Sequence, residues 1–224
     1  MTTAVAIDFV AHAEERVSGL LLERADARAA YVFAHGAGAG MRHPFMEAVA
    51  RALADRQVAT FRFQFPSMEK GLKRPDPPAV AQASVRAAVA EAGRRFPGLP
   101  LFAGGKSFGG RMTSQAQAQA PLPGVVGLAF TGFPLHQAGK PSLQRAEHLV
   151  KVQLPMLFLQ GTRDALADLD LLTRVVEGLG AHASLVTFND ADHSFQVRKS
   201  SGAPREVILS MADAMTAWMR ERSP

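Results

Sequence analysis

The sequence predicts an α/β fold, in which a doubly wound, mostly parallel sheet carries helices on both faces. Short β-rich runs alternate with helical patterns from residue 29 to the end of the chain, which is the order that successive βαβ units produce. Several of the β-rich runs are apolar at successive positions, as expected for strands that are covered on both faces. The chain has 224 residues, of which 47% are hydrophobic. This size predicts a single domain over residues 1–224 with a sizeable core.

The predicted elements follow one another in a regular order. One or two antiparallel edge strands are predicted between residues 5 and 22, ahead of the alternating region. The predicted strands cover residues 17–22, 29–34, 58–63, 101–103, 125–130, 156–159 and 184–188. The predicted helices cover residues 44–56, 78–96, 109–120, 168–179 and 204–222. Residues 65–78 and 132–144 are loops rich in proline or glycine that directly follow strands. We therefore expect them at the carboxyl edge of the sheet, as walls of a ligand pocket.

Composition excludes several classes of protein. No apolar run approaches the roughly 20 residues of a membrane helix, and the first residues do not resemble a signal peptide. We therefore expect a soluble, cytoplasmic protein without membrane partners. The chain has no cysteine, which excludes disulfides, thiolate metal sites and a cysteine nucleophile. Its net charge is +5, but the basic residues are dispersed, with the longest run at residues 70–74, so no nucleic-acid partner is predicted.

The most specific local signal lies between a predicted strand and a predicted helix. Gly105, Ser107 and Gly109 spell G-x-S-x-G, the pattern of a nucleophile elbow, in which a strained strand-to-helix turn exposes a serine hydroxyl. The flanking glycines are needed because a Cβ there would collide with the neighbouring strand and helix. A glycine-rich turn without chemistry is the simplest alternative. A phosphate-binding loop is the other, because the segment contains G-K-S, but the glycine that such a loop needs at position 100 is Pro100.

A serine nucleophile needs a base and an orienting carboxylate. Among seven histidines, His193 alone lies on a loop after the last predicted strand, where the order nucleophile, acid, histidine places the base. Asp164 follows the preceding strand and a glycine turn, and is the predicted acid. Asp168 and Asp170 are the alternative acids, but both are expected to begin the next helix, where a carboxylate interacts favourably with the helix dipole. Two further aspartates, Asp190 and Asp192, are predicted to shape the loop around His193.

The oxyanion of an acyl-transfer reaction needs preorganised donors. The first is predicted to be the amide of Phe108, directly after the nucleophile. The second is expected in the glycine-rich segment 35–40, where Ala37 is preferred and Gly38 is the alternative. This segment could also be a dinucleotide-binding loop, but the third glycine of that pattern is Met41. Substrate contacts are predicted from residues in or beside these motifs: His35, Gly36, Gly38, Lys106, Arg111 and His136.

Four motifs in this order resemble the α/β-hydrolase superfamily: H-G-A-G at 35–38, G-x-S-x-G at 105–109, G-T-R-D at 161–164 and D-H-S-F at 192–195. The resemblance extends over about residues 32–195. The segments G-K-S-F-G-G-R at 105–111, G-F-P-L-H at 132–136 and G-K-P at 139–141 resemble the small dienelactone-hydrolase-like branch that includes testis-expressed hydrolase-like proteins. This resemblance implies a catalytic triad of Ser107, Asp164 and His193, and a lid reduced to loops. Dienelactone hydrolases use a cysteine nucleophile, so their substrate is not transferred to this chain.

The sequence therefore predicts a serine hydrolase that cleaves a small carboxylic ester or thioester without a metal or another cofactor. One alternative is an inactive domain that serves as a binding or scaffold module. The other is a nucleotide hydrolase with a phosphate-binding loop. Basic residues near the site motifs predict a positively charged mouth and hence an anionic ester; they are Arg42, Arg62, Lys106, Arg111, Lys140 and Arg163. The oligomeric state is not predicted.

Overall fold

The computed structural model describes residues 3–72, 74–198 and 203–223; Lys73, within the predicted loop 65–78, lies outside the described residues. The strands are β1 (Val5–His12), β2 (Glu15–Leu22), β3 (Ala29–Ala34), β4 (Val58–Phe63), β5 (Leu101–Lys106), β6 (Val125–Thr131), β7 (Met156–Gly161) and β8 (Ala183–Phe188). The α-helices are α1 (Pro44–Ala54), α2 (Pro66–Glu69), α3 (Pro78–Arg95), α4 (Phe108–Gln119), α5 (Leu169–Leu179) and α6 (Pro204–Arg220). Two 3-10 helices cover Gln144–Lys151 and Gly180–His182.

All eight strands of the described residues belong to one sheet, in the order β1-β2-β4-β3-β5-β6-β7-β8. The first two strands are antiparallel to each other, and β2 is antiparallel to β4. The strands from β3 to β8 run parallel to their neighbours. This arrangement confirms the doubly wound, mostly parallel sheet with an antiparallel edge. It also brings the carboxyl ends of β5, β7 and β8 to one edge of the sheet, where open α/β sheets bind their ligands.

The core has two layers, one on each face of the sheet. On β3, Ala30, Val32 and Ala34 pack with apolar residues of α3, α4 and α5, whereas the alternate residues Tyr31 and Phe33 pack with those of α1 and α6. Every residue of β3, β4 and β7 is buried. The successive apolar positions in these strands are explained by the two helical layers, because both faces of each strand are covered.

Most predicted boundaries differ from the structure by no more than two residues, and three differences are larger. Strand β5 continues through Gly104 and Gly105 to Lys106, because these glycines pair with β6 although their propensity for strands is low. The predicted loop 65–78 contains the short helix α2, which begins at Pro66; proline is favoured at the first position of a helix because its missing N–H has no helical partner there. The 3-10 helix Gln144–Lys151 was not predicted. Among the described residues, no helix is long and apolar enough to cross a membrane.

Candidate active site

Ser107 lies at the turn between β5 and α4, as the elbow motif predicts. Its φ of 52° and ψ of −115° place a non-glycine residue in a conformation that costs of order 1–3 kcal/mol, a strain that occurs at functional turns. The Ser107 amide donates a hydrogen bond to the Thr131 carbonyl of β6 (3.2 Å), which holds the turn against the sheet. The helix begins directly after the serine, so the side chain lies beside the N-terminal amides of α4, which have no partner within the helix.

Backbone packing explains the glycines that flank the serine. A Cβ on Gly105 would lie 2.4 Å from the Ala34 carbonyl oxygen, and a Cβ on Gly109 would lie 2.5 Å from the same atom. Both distances are shorter than a Cβ tolerates, and the atom that it would meet belongs to the backbone of β3. These positions therefore require glycine for the strand-to-helix turn to pack against β3.

The structure brings Ser107, His193 and Asp164 together in one hydrogen-bonded chain. The distance from Ser107 Oγ to His193 Nε2 is 2.8 Å, and the distance from His193 Nδ1 to Asp164 Oδ2 is 2.7 Å. His193 lies on the loop after β8 and Asp164 on the loop after β7, while Ser107 follows β5. The three residues thus lie 86 and 29 positions apart in the chain, and they meet because their strands end at the same edge of the sheet.

The Asp164 carboxylate is fully buried and accepts hydrogen bonds from three donors. Besides the imidazole of His193, these are the Leu166 amide (2.8 Å) and the side-chain amide of Gln160 (2.5 Å). A buried carboxylate needs such donors, because an unpaired one would lose its hydration without compensation. The role of Gln160 was not predicted, although a glutamine at the end of the apolar strand β7 is a signal that could have indicated it.

Lys106 holds the backbone of the histidine loop. Its ammonium group donates to the His193 carbonyl (2.5 Å) and lies 5.4 Å and 5.9 Å from the ring centroids of Phe195 and Phe45. Burial lowers the pKa of Lys106 from 10.5 to about 8, although the negative charges of Asp164 and Asp192 act to raise it. A Cβ on Gly132 would lie 2.9 Å from Lys106 Nζ, so a side chain at position 132 would displace this ammonium group.

An open pocket of about 430 Å³ contains Ser107 and His193. The glycine-rich segment forms one wall, and an added Cβ on Gly36 would lie 3.8 Å from Ser107 Cβ, so this backbone passes close to the serine. Ala37 and Gly38 belong to the same wall, and Phe108 supplies the first amide of α4. The other lining residues are Ala39, His43, Phe45, Met46, Lys106, Leu166 and Ser194. Neither of the two loops expected as pocket walls contributes to this lining. Residues of 65–78 line a smaller cavity beside Ala37 and Phe108, and residues of 132–144 line a separate groove.

A family model described as the alpha/beta hydrolase domain matches residues 27–220 of the chain. The chain belongs to this family. The match covers most of the sequence and includes the elements that carry Ser107, Asp164 and His193. It supports a hydrolase activity and confirms the resemblance to the α/β-hydrolase superfamily.

Solved structures show the same fold as this α/β hydrolase. A dienelactone hydrolase from Anabaena variabilis superposes with a TM-score of 0.77 at 20% identity, covering 100% of this chain and 99% of that chain. A lidless α/β serine hydrolase from Xanthomonas campestris gives a TM-score of 0.75 at 21% identity, covering 100% and 97%. An esterase domain from Rhodothermus marinus gives a TM-score of 0.72 at 18% identity, covering 98% of each chain. The likeness confirms the predicted fold without a large lid.

Two histidines of this α/β hydrolase that were expected to contact substrate are engaged by the backbone. His35 Nε2 accepts from the Phe65 amide (3.1 Å) and Nδ1 bonds the Gly36 carbonyl (2.8 Å), while burial lowers the pKa of the ring to about 4. His136 Nε2 accepts from the Asp168 amide (2.7 Å) and Nδ1 bonds the Gln137 carbonyl (2.8 Å). Both nitrogens of each ring are engaged by the backbone, so neither ring has a nitrogen left for a ligand. The contacts show that both histidines hold loops in place.

The predicted positively charged mouth is smaller than expected. Of its six basic residues, Lys106 alone lines the pocket around Ser107. Arg62 is buried, and its side chain donates to the Met41 carbonyl (3.1 Å). Arg111, also expected to contact substrate, lines a separate groove beside the 3-10 helix Gln144–Lys151. It therefore lies outside the catalytic pocket, because α4 directs successive side chains to different sides of the helix.

The alternative acids have local structural roles. Asp168 is the N-cap of α5, where its carboxylate accepts from the Leu171 amide (3.0 Å). Asp192 Oδ1 accepts from the amides of Ser194 and Gln196 (2.8 Å and 2.9 Å). The first contact stabilises a helix start and the second shapes the loop that presents His193.

Proposed function

We propose that this α/β hydrolase is a serine hydrolase that cleaves a carboxylic ester or thioester through an acyl-enzyme. The observation that carries the proposal is the continuous hydrogen-bonded chain from Asp164 through His193 to Ser107, which opens into a pocket. Nucleophile, base and orienting acid are each within hydrogen-bond reach of the next, as acyl transfer by a serine requires.

In the first half of the proposed reaction, His193 Nε2 removes the proton from Ser107 Oγ as the oxygen attacks the carbonyl carbon. Asp164 holds the imidazole through Nδ1 and stabilises the imidazolium that forms. The amides of Phe108 and Ala37 are proposed to bind the oxyanion, helped by the N-terminal end of α4. The imidazolium then protonates the departing alcohol or thiol, which leaves the acyl group on Ser107.

In the second half, a water molecule occupies the place of the leaving group. His193 removes its proton, the hydroxide attacks the acyl carbon, and the returning proton releases Ser107 with a carboxylic acid as product. Every step uses side chains and amides of this chain alone.

The shape of the pocket favours a small substrate. Its volume is about 430 Å³, and among the described residues no inserted domain separates the strands around it. Phe45, Met46 and Leu166 supply apolar surface on its walls, which suits the hydrocarbon part of an ester. The esterase domain of the Rhodothermus marinus protein has the same fold, which supports an ester as the substrate class.

An active-site-directed fluorophosphonate tests the proposal directly. The probe phosphonylates a serine only when the adjacent base activates it, so labelling mapped to Ser107 is the expected result. The matched control is Ser114→Ala, which removes the hydroxyl of a serine within α4. This variant is expected to retain labelling at Ser107. Absence of label on Ser107 in the folded protein would favour the binding or scaffold alternative.

Turnover of a short p-nitrophenyl ester provides a second test. Ser107→Ala and His193→Ala are each expected to lower kcat by about 10⁴-fold or more, and the double variant to cost little beyond either one, because triad members act as a unit. Near-normal turnover by a pure Ser107→Ala preparation would contradict the assignment.

A further inference from the structure

A second concave surface lies between α4 and the 3-10 helix Gln144–Lys151. This groove has a volume of about 490 Å³ and none of its lining residues lines the catalytic pocket. It is lined by Arg111, Gln115, Gln144, Arg145, Glu147 and His148. We refer to these six residues as the arginine groove.

Arg111 is the least satisfied cation of the groove. It is half-buried, its Nε atom is inaccessible to solvent, and its guanidinium makes no hydrogen bond or ion pair with any described residue. Burial lowers the pKa of Arg111, and the charge of Arg145 lowers it further. A half-buried guanidinium normally has acceptors, since five N–H groups lose hydration there. An anion bound in the groove would supply them.

Arg145 is held in place by the backbone of the loop before it. Its Nη1 atom donates to the carbonyls of His136 (3.0 Å) and Pro134 (3.4 Å). No carboxylate among the described residues pairs with Arg145, which leaves its remaining N–H groups for a ligand. Two guanidinium groups therefore face one groove without a protein counter-ion, and one of them is already fixed in orientation.

The other side chains of the groove do not neutralise the two arginines. Gln115 Oε1 accepts from the side-chain Nε2 of Gln82 (3.1 Å), which leaves the NH₂ group of Gln115 as a donor. His148 Nε2 lies 2.7 Å from Ser114 Oγ, and burial lowers the pKa of the ring to about 4, so it does not add a positive charge near neutral pH. Glu147 is exposed and forms no ion pair with either arginine. The groove thus has an excess of donors and of positive charge.

We propose that the arginine groove is a phosphate-binding site in which Arg111 and Arg145 together bind the terminal oxygens of one phosphate group. Two arginines match the charge of a phosphate dianion, and the planar fork of each guanidinium matches two of its oxygens. Gln115 supplies a further donor. The phosphate arrives either as the free ion or as part of a small phosphorylated molecule.

Isothermal titration calorimetry with inorganic phosphate tests the site without requiring turnover, so it remains informative if the hydrolase proposal fails. The wild-type protein is expected to bind in the millimolar range or more tightly. NMR spectra recorded during the same phosphate titration are expected to show a shift of the His148 imidazole resonances. Arg111→Met is expected to weaken binding by about tenfold or more, because a charge-assisted hydrogen-bond pair is lost. Arg174→Met is the matched control, since Arg174 is exposed on α5, outside the groove.

Glu147→Gln provides a test that does not depend on the folding of an arginine variant. It removes a negative charge from the groove and is expected to tighten phosphate binding. No phosphate binding by the wild-type protein, or the same affinity in wild type, Arg111→Met and Glu147→Gln, would overturn the proposal.

Kinetics with two esters show where the phosphate comes from. One ester has a phosphorylated leaving group, and the other is its unphosphorylated counterpart. If the phosphate belongs to the substrate, Arg111→Met raises KM for the phosphorylated ester alone. If the ligand is a free ion or a separate small molecule, calorimetric binding is lost in Arg111→Met while KM is the same for both esters. Either result supports the groove as a phosphate site.

Discussion

At the scale of single residues, two aspartates near His193 have different surroundings. Asp164 is buried and contacts the imidazole, whereas Asp192 bonds amides of its own loop. Asp164→Asn is expected to lower kcat by about 10⁴-fold, because an amide at this position favours the wrong tautomer of His193. Asp192→Asn keeps an oxygen acceptor for the loop amides and is expected to have a small effect. Steady-state kinetics of the two variants make the comparison, and a reversed ranking would move the acid to the histidine loop.

Lys106 makes protein stability depend on pH. Its pKa falls from 10.5 to about 8 on folding, so between these values the unfolded chain binds more protons than the folded one and stability rises with pH. The free energy of unfolding of the wild type relative to Lys106→Met is therefore expected to increase from pH 8 to 10.5, by at most about 3.4 kcal/mol at about 1.36 kcal/mol per pKa unit. Urea denaturation at several pH values measures the difference. A difference that stays constant would show that Lys106 titrates normally.

The sequence could identify the site residues whose positions follow from the order of strands and helices along the chain. Ser107, Asp164 and His193 each follow a strand of the parallel sheet, and parallel strands bring such loops to one edge. Gln160 and the contact of Lys106 with the His193 carbonyl depend on side-chain directions between distant segments. The motif at 105–111 likewise suggested that Arg111 faces the substrate, because sequence distance along α4 does not reveal which side of the helix borders the pocket.

At the scale of elements, two glycines in different helices show where backbone packing restricts the sequence. Gly109 in α4 is pressed against β3, whereas a Cβ on Gly93 in α3 would meet no atom within 4 Å. Gly109→Ala is expected to lower the free energy of unfolding by about 1–3 kcal/mol through overpacking. Gly93→Ala is expected to raise it by about 0.5–1 kcal/mol, because alanine is favoured within a helix. Thermal and chemical denaturation test the pair, and equal effects would contradict the packing argument.

The boundaries of elements were predictable where one local signal dominates. The start of α1 at Pro44 and of α3 at Pro78 follows from proline at the first helical position. The end of β5 was not predictable from propensity, because Gly104 and Gly105 extend it only through their pairing with β6. Tertiary contacts decide such cases, and these contacts place Ser107 at the sheet edge.

At the scale of the whole molecule, the net charge of +5 provides a positive background, and Lys106 brings a cation into the catalytic pocket. Arg42 is exposed and adjoins His43, which lines the same pocket. A site with one sign of charge concentrates oppositely charged ligands and increases association rates by about tenfold or more at low salt. We therefore expect kcat/KM for an ester that bears a carboxylate to exceed that for its neutral analogue.

Kinetics of the two esters at low and high ionic strength measure this preference. Added salt is expected to reduce the advantage of the anionic ester, because the Debye length falls from about 10 Å at 0.1 M to about 3 Å at 1 M. Lys106→Met is expected to reduce the advantage at low salt, whereas Arg174→Met is expected to retain it, because Arg174 does not line the pocket. Equal rates for both esters without a response to salt would show that the charge near the pocket does not select the substrate.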